Sequence, residues 1–263
     1  MMLEIKKNRS FPWLEKKLEE LKTFEDGTFY KKVMVMSKAG GGKTTFAGTF
    51  PNWLLFDFDK NSRVLEALPN GLDRLKTHRL PFSRGDDVET GLIQTMMAYM
   101  AKEGPFADGE IWSDVQTIVI DSIHKYASFL ATYIQTVTLR KKASEKMGYD
   151  GWGLLKGSLE TLGELIKDVP CHVVSTCGVK TFDRDDGTQE VMAMIDGSYK
   201  DLISHEYGEV YYLDRVMRSG TVLYKGYSNI FGNIKMLKTT TPYLPREFVN
   251  PTFQRLYVDK KYD

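Results

Sequence analysis

The chain carries only two cysteines and four histidines in 263 residues. Cys171 and Cys177, six positions apart, match no zinc spacing and are too few for a disulfide framework, so buried reduced thiols are the expected state. An excess of one charge is also missing, since 36 Lys and Arg face 35 Asp and Glu, a formal +1. Bulk charge therefore announces no nucleic-acid partner, and any such contact has to rest on local patches. No apolar run approaches the roughly 18 residues a membrane span needs. The opening M-M-L-E-I-K-K-N also lacks the apolar core of a secretory leader, which together predicts a cytoplasmic protein with no membrane partner. No internal repeat or low-complexity tract points to a solenoid or an array. What is present is an ordinary globular complement, 42% apolar with 14 Phe and 14 Tyr, enough for one α/β core of good size.

The most informative stretch begins at Val33. An apolar strand, Val33-Met34-Val35-Met36, runs into Ser37-Lys38-Ala39-Gly40-Gly41-Gly42-Lys43-Thr44-Thr45, after which Phe46 and Ala47 favour a helix. Strand, glycine-rich turn and helix in this order form a P-loop. Three consecutive glycines let backbone N–H groups turn inward towards phosphates that a side chain would obstruct. Lys43 is expected to reach the β- and γ-phosphates of ATP, and the Thr44 hydroxyl to ligate Mg²⁺. A helix start also favours anions through its dipole. Ser37 stands where the motif has its first glycine, and serine is small enough for that turn. A hairpin turn would not call for Lys-Thr directly after the glycines.

Further motifs follow in chain order. The helix after the loop must be brief, because Phe50-Pro51-Asn52 ends it. The run Trp53-Leu54-Leu55-Phe56 reads as a buried parallel strand leading into Asp57-Phe58-Asp59. Strand alternation puts Asp57 and Asp59 on one face, where either can activate a water or cap the helix starting near Asn61; Asp59 is the favoured catalyst. Val115 to Asp121 is an apolar strand ending in Asp, the form that holds Mg²⁺ beside a P-loop. A further buried strand from Cys171 ends in Ser175 and Thr176, polar groups placed to sense the γ-phosphate.

Helices are predicted over residues 11–22, either packed on the core's edge or forming an N-terminal arm that docks on a neighbouring subunit, over Asp86 to Lys102 with Val88, Leu92, Met96 and Met97 inward, and over Ile123 to Lys146 with Val137 in its apolar stripe. The stretch M-G-Y-D-G-W-G-L-L-K-G is too rich in glycine for regular structure, and Leu155, Leu159, Leu162 and Ile166 mark a helix after it. Two hairpins are expected, around Asp185-Asp186-Gly187 and around Ser219-Gly220. The domain reading is an arm over 1–26 and one ATPase domain over 27–263 with a β-rich C-terminal extension.

G-G-G-K-T-T-F-A-G-T-F-P followed by L-L-F-D-F-D and then T-I-V-I-D-S-I resembles the phage RecA-like ATPases, in particular the Sak-type single-strand annealing and recombination proteins. The resemblance spans about Lys32 to Pro251. It implies a RecA-like α/β fold with a mainly parallel sheet, which binds ATP, assembles as a ring or filament on single-stranded DNA and works beside a single-strand-binding protein. By position it implies Lys43 and Thr44 as the Walker A pair, Asp121 as the Walker B carboxylate and Asp59 in place of a catalytic glutamate one methylene longer. Ser175 and Thr176 fall at the polar sensor, where RecA itself has a glutamine. Lys235 and Lys238 are similar to lysines that act in a neighbour's site, or else they form a solvated face.

For DNA, the resemblance points to Tyr149, Trp152 and Lys156, with Arg140, Lys141 and Lys142 nearby, as stacking and phosphate contacts; core packing is the competing reading of the aromatics. A second likeness, to partition and positioning ATPases, rests on K-A-G-G-G-K-T-T with Lys38 as their signature lysine. Ala39 and the short span from Thr45 to Asp57 speak against it. A third possibility is an annealing module that binds ATP with little turnover.

Overall fold

The computed structural model describes residues 30–142, 144–183, 185, 187–197 and 199–263. The arm expected over 1–26 lies outside these residues. Residues 31–263 form one compact unit.

Its centre is a sheet. Strands β1 (Lys32–Ser37), β2 (Trp53–Asp57), β3 (Arg79–Pro81), β4 (Thr117–Asp121), β5 (His172–Asp183), β6 (Gln189–Ala193), β7 (Glu209–Arg218), β8 (Thr221–Tyr227) and β9 (Glu247–Val249) are arranged β3-β2-β4-β5-β1-β7-β8-β9, with β6 paired to β5. Pairings from β3 across to β7 are parallel, whereas β7-β8, β8-β9 and β5-β6 are antiparallel. This is the expected α/β class, mainly parallel with antiparallel strands in the C-terminal third.

The central strands are continuous apolar runs because both faces are covered. Alternation sends Met34, Met36, Leu54, Phe56, Ile118 and Ile120 to one face, under α3 (Val88–Ala101), α4 (Ile123–Tyr133) and α5 (Tyr149–Asp168). It sends Val33, Val35, Leu55, Val119 and Val174 to the other, under α1 (Lys43–Gly48) and the C-terminal Phe248 and Leu256. Two short helices, α2 (Gly71–Thr77) and α6 (Tyr199–Leu202), complete the described α-helices.

Both hairpin expectations agree with the antiparallel pairings β5-β6 and β7-β8, and Ser219 and Gly220 at the second turn have left-handed φ of 50° and 78°. Three helix readings need correction. The helix from Ile123 does not run to Lys146: it widens into a π turn over Ile134–Thr138 and stops, with Arg140 in the left-handed region at φ 54°. The wider turn shifts the apolar stripe, leaving Val137 half exposed. Arg140, Lys141 and Lys142 lie on the loop beyond, tied back by the Gln135 amide, which donates to the Lys142 carbonyl at 2.9 Å.

In α3, Met97 points outward while Met96 is fully buried. Finally, the glycine-rich stretch is not a loop, because Tyr149 already begins the 20-residue α5. Leu155, Leu159, Leu162 and Ile166 bury one stripe of it, and that burial overrides the propensity cost of about 1 kcal/mol per glycine. Gly151 is required there, since a Cβ would come within 2.5 Å of the Met147 side chain and 3.1 Å of Leu139. Among the described residues no helix is long and apolar enough to cross a membrane.

Candidate nucleotide site

The parallel strands all end at one edge of the sheet, where α/β folds bind ligands. Register places the candidates there: Ser37 pairs with Gly178, Val35 with Thr176, and Asp57 with Asp121. β5 therefore lies between the strand that feeds the loop and the strand that ends in Asp121.

In the loop, Gly40 and Gly42 adopt φ of 75° and 87°, which L side chains disfavour. Gly41 has a different reason to be glycine. A Cβ there would sit 2.3 Å from Ser37 Oγ, and Ser37 Oγ–H itself donates to the Lys38 carbonyl at 2.7 Å. The serine at the motif's first position is thus a working part of the turn. Lys43 Nζ folds over the loop, donating to Ser37 Oγ at 3.0 Å, to the Ser37 carbonyl at 3.2 Å and to the Lys38 carbonyl at 3.2 Å. Burial lowers its pKa, and the negative charge of Asp121 works against that. α1 has only six residues, so the inward N–H groups of the loop, more than a helix dipole, are what suit phosphates here.

Asp121 is the hub. Its Oδ2 accepts from Thr44 Oγ1 at 2.9 Å, and its Oδ1 accepts from Thr176 Oγ1. Burial pushes its pKa up to about 6; the two hydroxyl donors pull against this, and Asp59 and Asp57 add to it. A buried carboxylate in that position favours a cation beside it. A hydroxyl and a carboxylate, both hard oxygen donors, facing each other beside a glycine cradle fit Mg²⁺, which keeps most of its remaining ligands as water and phosphate.

The structure separates residues that the sequence grouped. Asp57 is fully buried, and its oxygens accept from the Lys60 N–H at 2.7 Å, Ser62 Oγ at 2.7 Å and Arg79 Nε at 2.8 Å. All three contacts are structural, so Asp57 is not free to take a proton from water. β2 ends at Asp57, and Asp59 lies beyond it at the half-exposed mouth of the site. The Asp59 N–H donates to the Asp121 carbonyl at 3.2 Å, and its charge acts on Lys43, Asp121 and His124. Ser175 is corrected too, because alternation turns it to the opposite face, where it accepts from Tyr207 OH at 2.7 Å. Thr176 alone faces the site.

His124 was not picked out by the sequence. It opens α4 three residues after Asp121, its Nδ1 accepts from the Gly178 N–H at 3.2 Å, and burial lowers its pKa. The available signal was its place directly after T-I-V-I-D-S-I.

The DNA candidates gather near the same edge of the sheet. α5 leads back through Pro170 into the start of β5, so its own first turn lies at the edge where the strands end. Tyr149 is 93% exposed there, Trp152 is 40% exposed, and Lys156 pairs with Glu160 at 3.6 Å. A cavity of about 490 Å³ lies along Tyr149, Trp152, Lys156 and Tyr199. A smaller one of about 220 Å³ shares Trp152, Leu155 and Asp196 with it and extends to His124. Lys38 is exposed at the loop. Lys238 is elsewhere: its backbone bridges Val210, which pairs with Met34 three residues below Ser37, so it does not serve this chain's own loop. Lys235 is exposed on the same segment.

A family model described as an AAA domain matches residues 30–243, which takes in every strand of the parallel core and the whole site. The chain belongs to this AAA-domain family. As an AAA domain it is a P-loop ATPase. No curated protein matches it. Among solved structures, a KaiC-like protein from the hyperthermophilic archaeon Pyrococcus horikoshii OT3 aligns over 75% of this chain and 77% of its own, at 14% identity and a TM-score of 0.44. That likeness is too loose to bear on function.

Proposed function

We propose that this AAA domain hydrolyses ATP and couples the nucleotide cycle to single-stranded DNA, assembling copies on the strand to promote annealing or strand exchange of the Sak type. The observation that carries the ATP reading is the convergence on Asp121 of Thr44 from the P-loop and Thr176 from β5. In this reading Lys43 exchanges its Ser37 and Lys38 partners for phosphate oxygens and holds the triphosphate. Thr44 and Asp121 would hold Mg²⁺, which supplies charge neutralisation at the phosphates. Thr176 keeps the Asp121 carboxylate aimed at Thr44. Asp59, with Asp57 tied up structurally, orients the attacking water and accepts its proton.

The DNA reading is supported by Tyr149, Trp152 and Lys156 on one exposed face at the edge of the sheet that carries the nucleotide site. Aromatic rings stack on bases without regard to sequence, at about 1–3 kcal/mol each. Lys141 and Lys142 on the preceding loop add phosphate contacts.

Phosphate release with and without single-stranded DNA tests both halves. Lys43→Ala should abolish turnover, and normal hydrolysis by that variant would overturn the site. Single-stranded DNA should stimulate the wild type, while Trp152→Ala should weaken strand binding about tenfold and spare nucleotide affinity. Stimulation confined to duplex DNA would replace this reading with a partition-type ATPase.

A further inference from the structure

The loop has a second close neighbour, on the side away from Asp121. Tyr224 of β8 lies against Gly42: a Cβ on that glycine would be 2.8 Å from Tyr224 Cδ1 and 2.9 Å from Cε1. The residue is partly buried. Its backbone is fixed on both sides, since its N–H donates to Asn250 Oδ1 at 3.0 Å and its carbonyl accepts from the Asn250 N–H at 2.7 Å. The same segment is tied to the end of α1, where the Phe253 N–H donates to Thr49 Oγ1 at 2.9 Å. Tyr224 is therefore an aromatic ring on a fixed backbone at the rim of the P-loop.

Strand order gives it a direction. Asp121 is on β4 and Asp59 follows β2, both to one side of β1, whereas β8 is on the other. If the terminal phosphate lies beside Asp121 and Asp59, as the proposed function requires, the rest of the nucleotide must leave the loop towards β7 and β8. We infer that Tyr224 is the stacking platform for the nucleobase of the bound nucleotide, so that β8 supplies the nucleoside half of the site and the P-loop the phosphate half. A phenol ring held by its backbone offers a flat apolar face at little entropic cost, which suits a base. Arg215, its exposed cross-strand partner on β7, flanks the same position.

The inference rests on the ATP reading, and a ligand without a nucleoside separates the two. Calorimetric titration of the full chain with ATP and with inorganic tripolyphosphate, for the wild type, Tyr224→Ala, Tyr224→Leu and Tyr224→Phe, is the test. Tyr224→Ala should weaken ATP about tenfold and leave tripolyphosphate within about twofold, while Tyr224→Phe keeps both. Tyr224→Leu keeps apolar bulk against Gly42 and should behave like Tyr224→Ala if stacking is what is lost. Equal losses for both ligands would mean that Tyr224 only buttresses the loop, and no loss for ATP would mean the base lies elsewhere; either overturns the inference. A wild type that binds neither ligand overturns the P-loop reading and this inference with it.

Discussion

At the residue scale, two aspartates two positions apart do different work. Asp57 is enclosed by Arg79, Ser62 and the Lys60 N–H, and Asp59 stands at the mouth near Lys43 and His124. Asp59→Asn should retain nucleotide affinity and lose about 100-fold or more in single-turnover hydrolysis. Asp57→Asn should instead lower unfolding stability by about 2–3 kcal/mol, because it breaks a buried ion pair from one side. Urea unfolding beside single-turnover kinetics checks both, and normal turnover by Asp59→Asn would move the base elsewhere. The sequence favoured Asp59 as the catalyst but left the role of Asp57 open. Alternation applies only while a strand lasts, and β2 stops at Asp57; Arg79 reaches back from 22 positions along the chain. Asp121 was legible despite its 77-residue separation from Thr44, because its chemistry follows a local pattern, an apolar strand that ends in a carboxylate.

At the element scale, α5 shows where local propensity misleads. Gly151, Gly153 and Gly157 argued against a helix, yet the helix expected from Leu155 to Ile166 extends back over them to Tyr149; Gly163 lies further along it. The glycines differ in what surrounds them, which gives them opposite mutational signs. Around Gly157 a new Cβ meets nothing within 4 Å, whereas at Gly163 it would lie 2.6 Å from the Glu206 carboxyl carbon. Glu206 is engaged there by Lys167 at 2.5 Å. Gly157→Ala should therefore raise unfolding stability by about 0.5–1 kcal/mol. Gly163→Ala should lower it by about 1–2 kcal/mol through overpacking and a displaced ion pair. Thermal denaturation of the two variants reads the difference, and a destabilised Gly157→Ala would show that the exposed face of α5 is constrained by something other than its own backbone.

At the scale of the whole molecule, the class and the strand-loop-helix order were legible, while the order of strands in the sheet was not. Parallel strands are joined by crossovers, so β5 can insert between β1 and β4 without any local mark. The consequences of that placement are global. It buries His172 at the start of β5, where Nδ1 accepts from the Lys31 N–H at 3.0 Å and the ring meets Phe50 and Phe253. Burial, then Lys32 and Lys31, pull its pKa from 6.5 to about 4. His78 and His124 are lowered as well, both mainly by burial. Between the folded and unfolded values the unfolded chain binds more protons, so stability rises with pH in that window. It is full above about pH 6.5 and is lost as pH falls towards about 4. For His172 the gap sets an upper limit of about 3 kcal/mol, reduced by the part of the ring that water reaches. Urea midpoints measured from about pH 7.5 down to about pH 5 should fall for the wild type. They should fall less for His172→Gln, whose amide oxygen can still accept from Lys31 without titrating. Parallel slopes for the two proteins would show that His172 takes up its proton alike in the folded and unfolded states and that the acid loss arises at other groups, His78 and His124 among them.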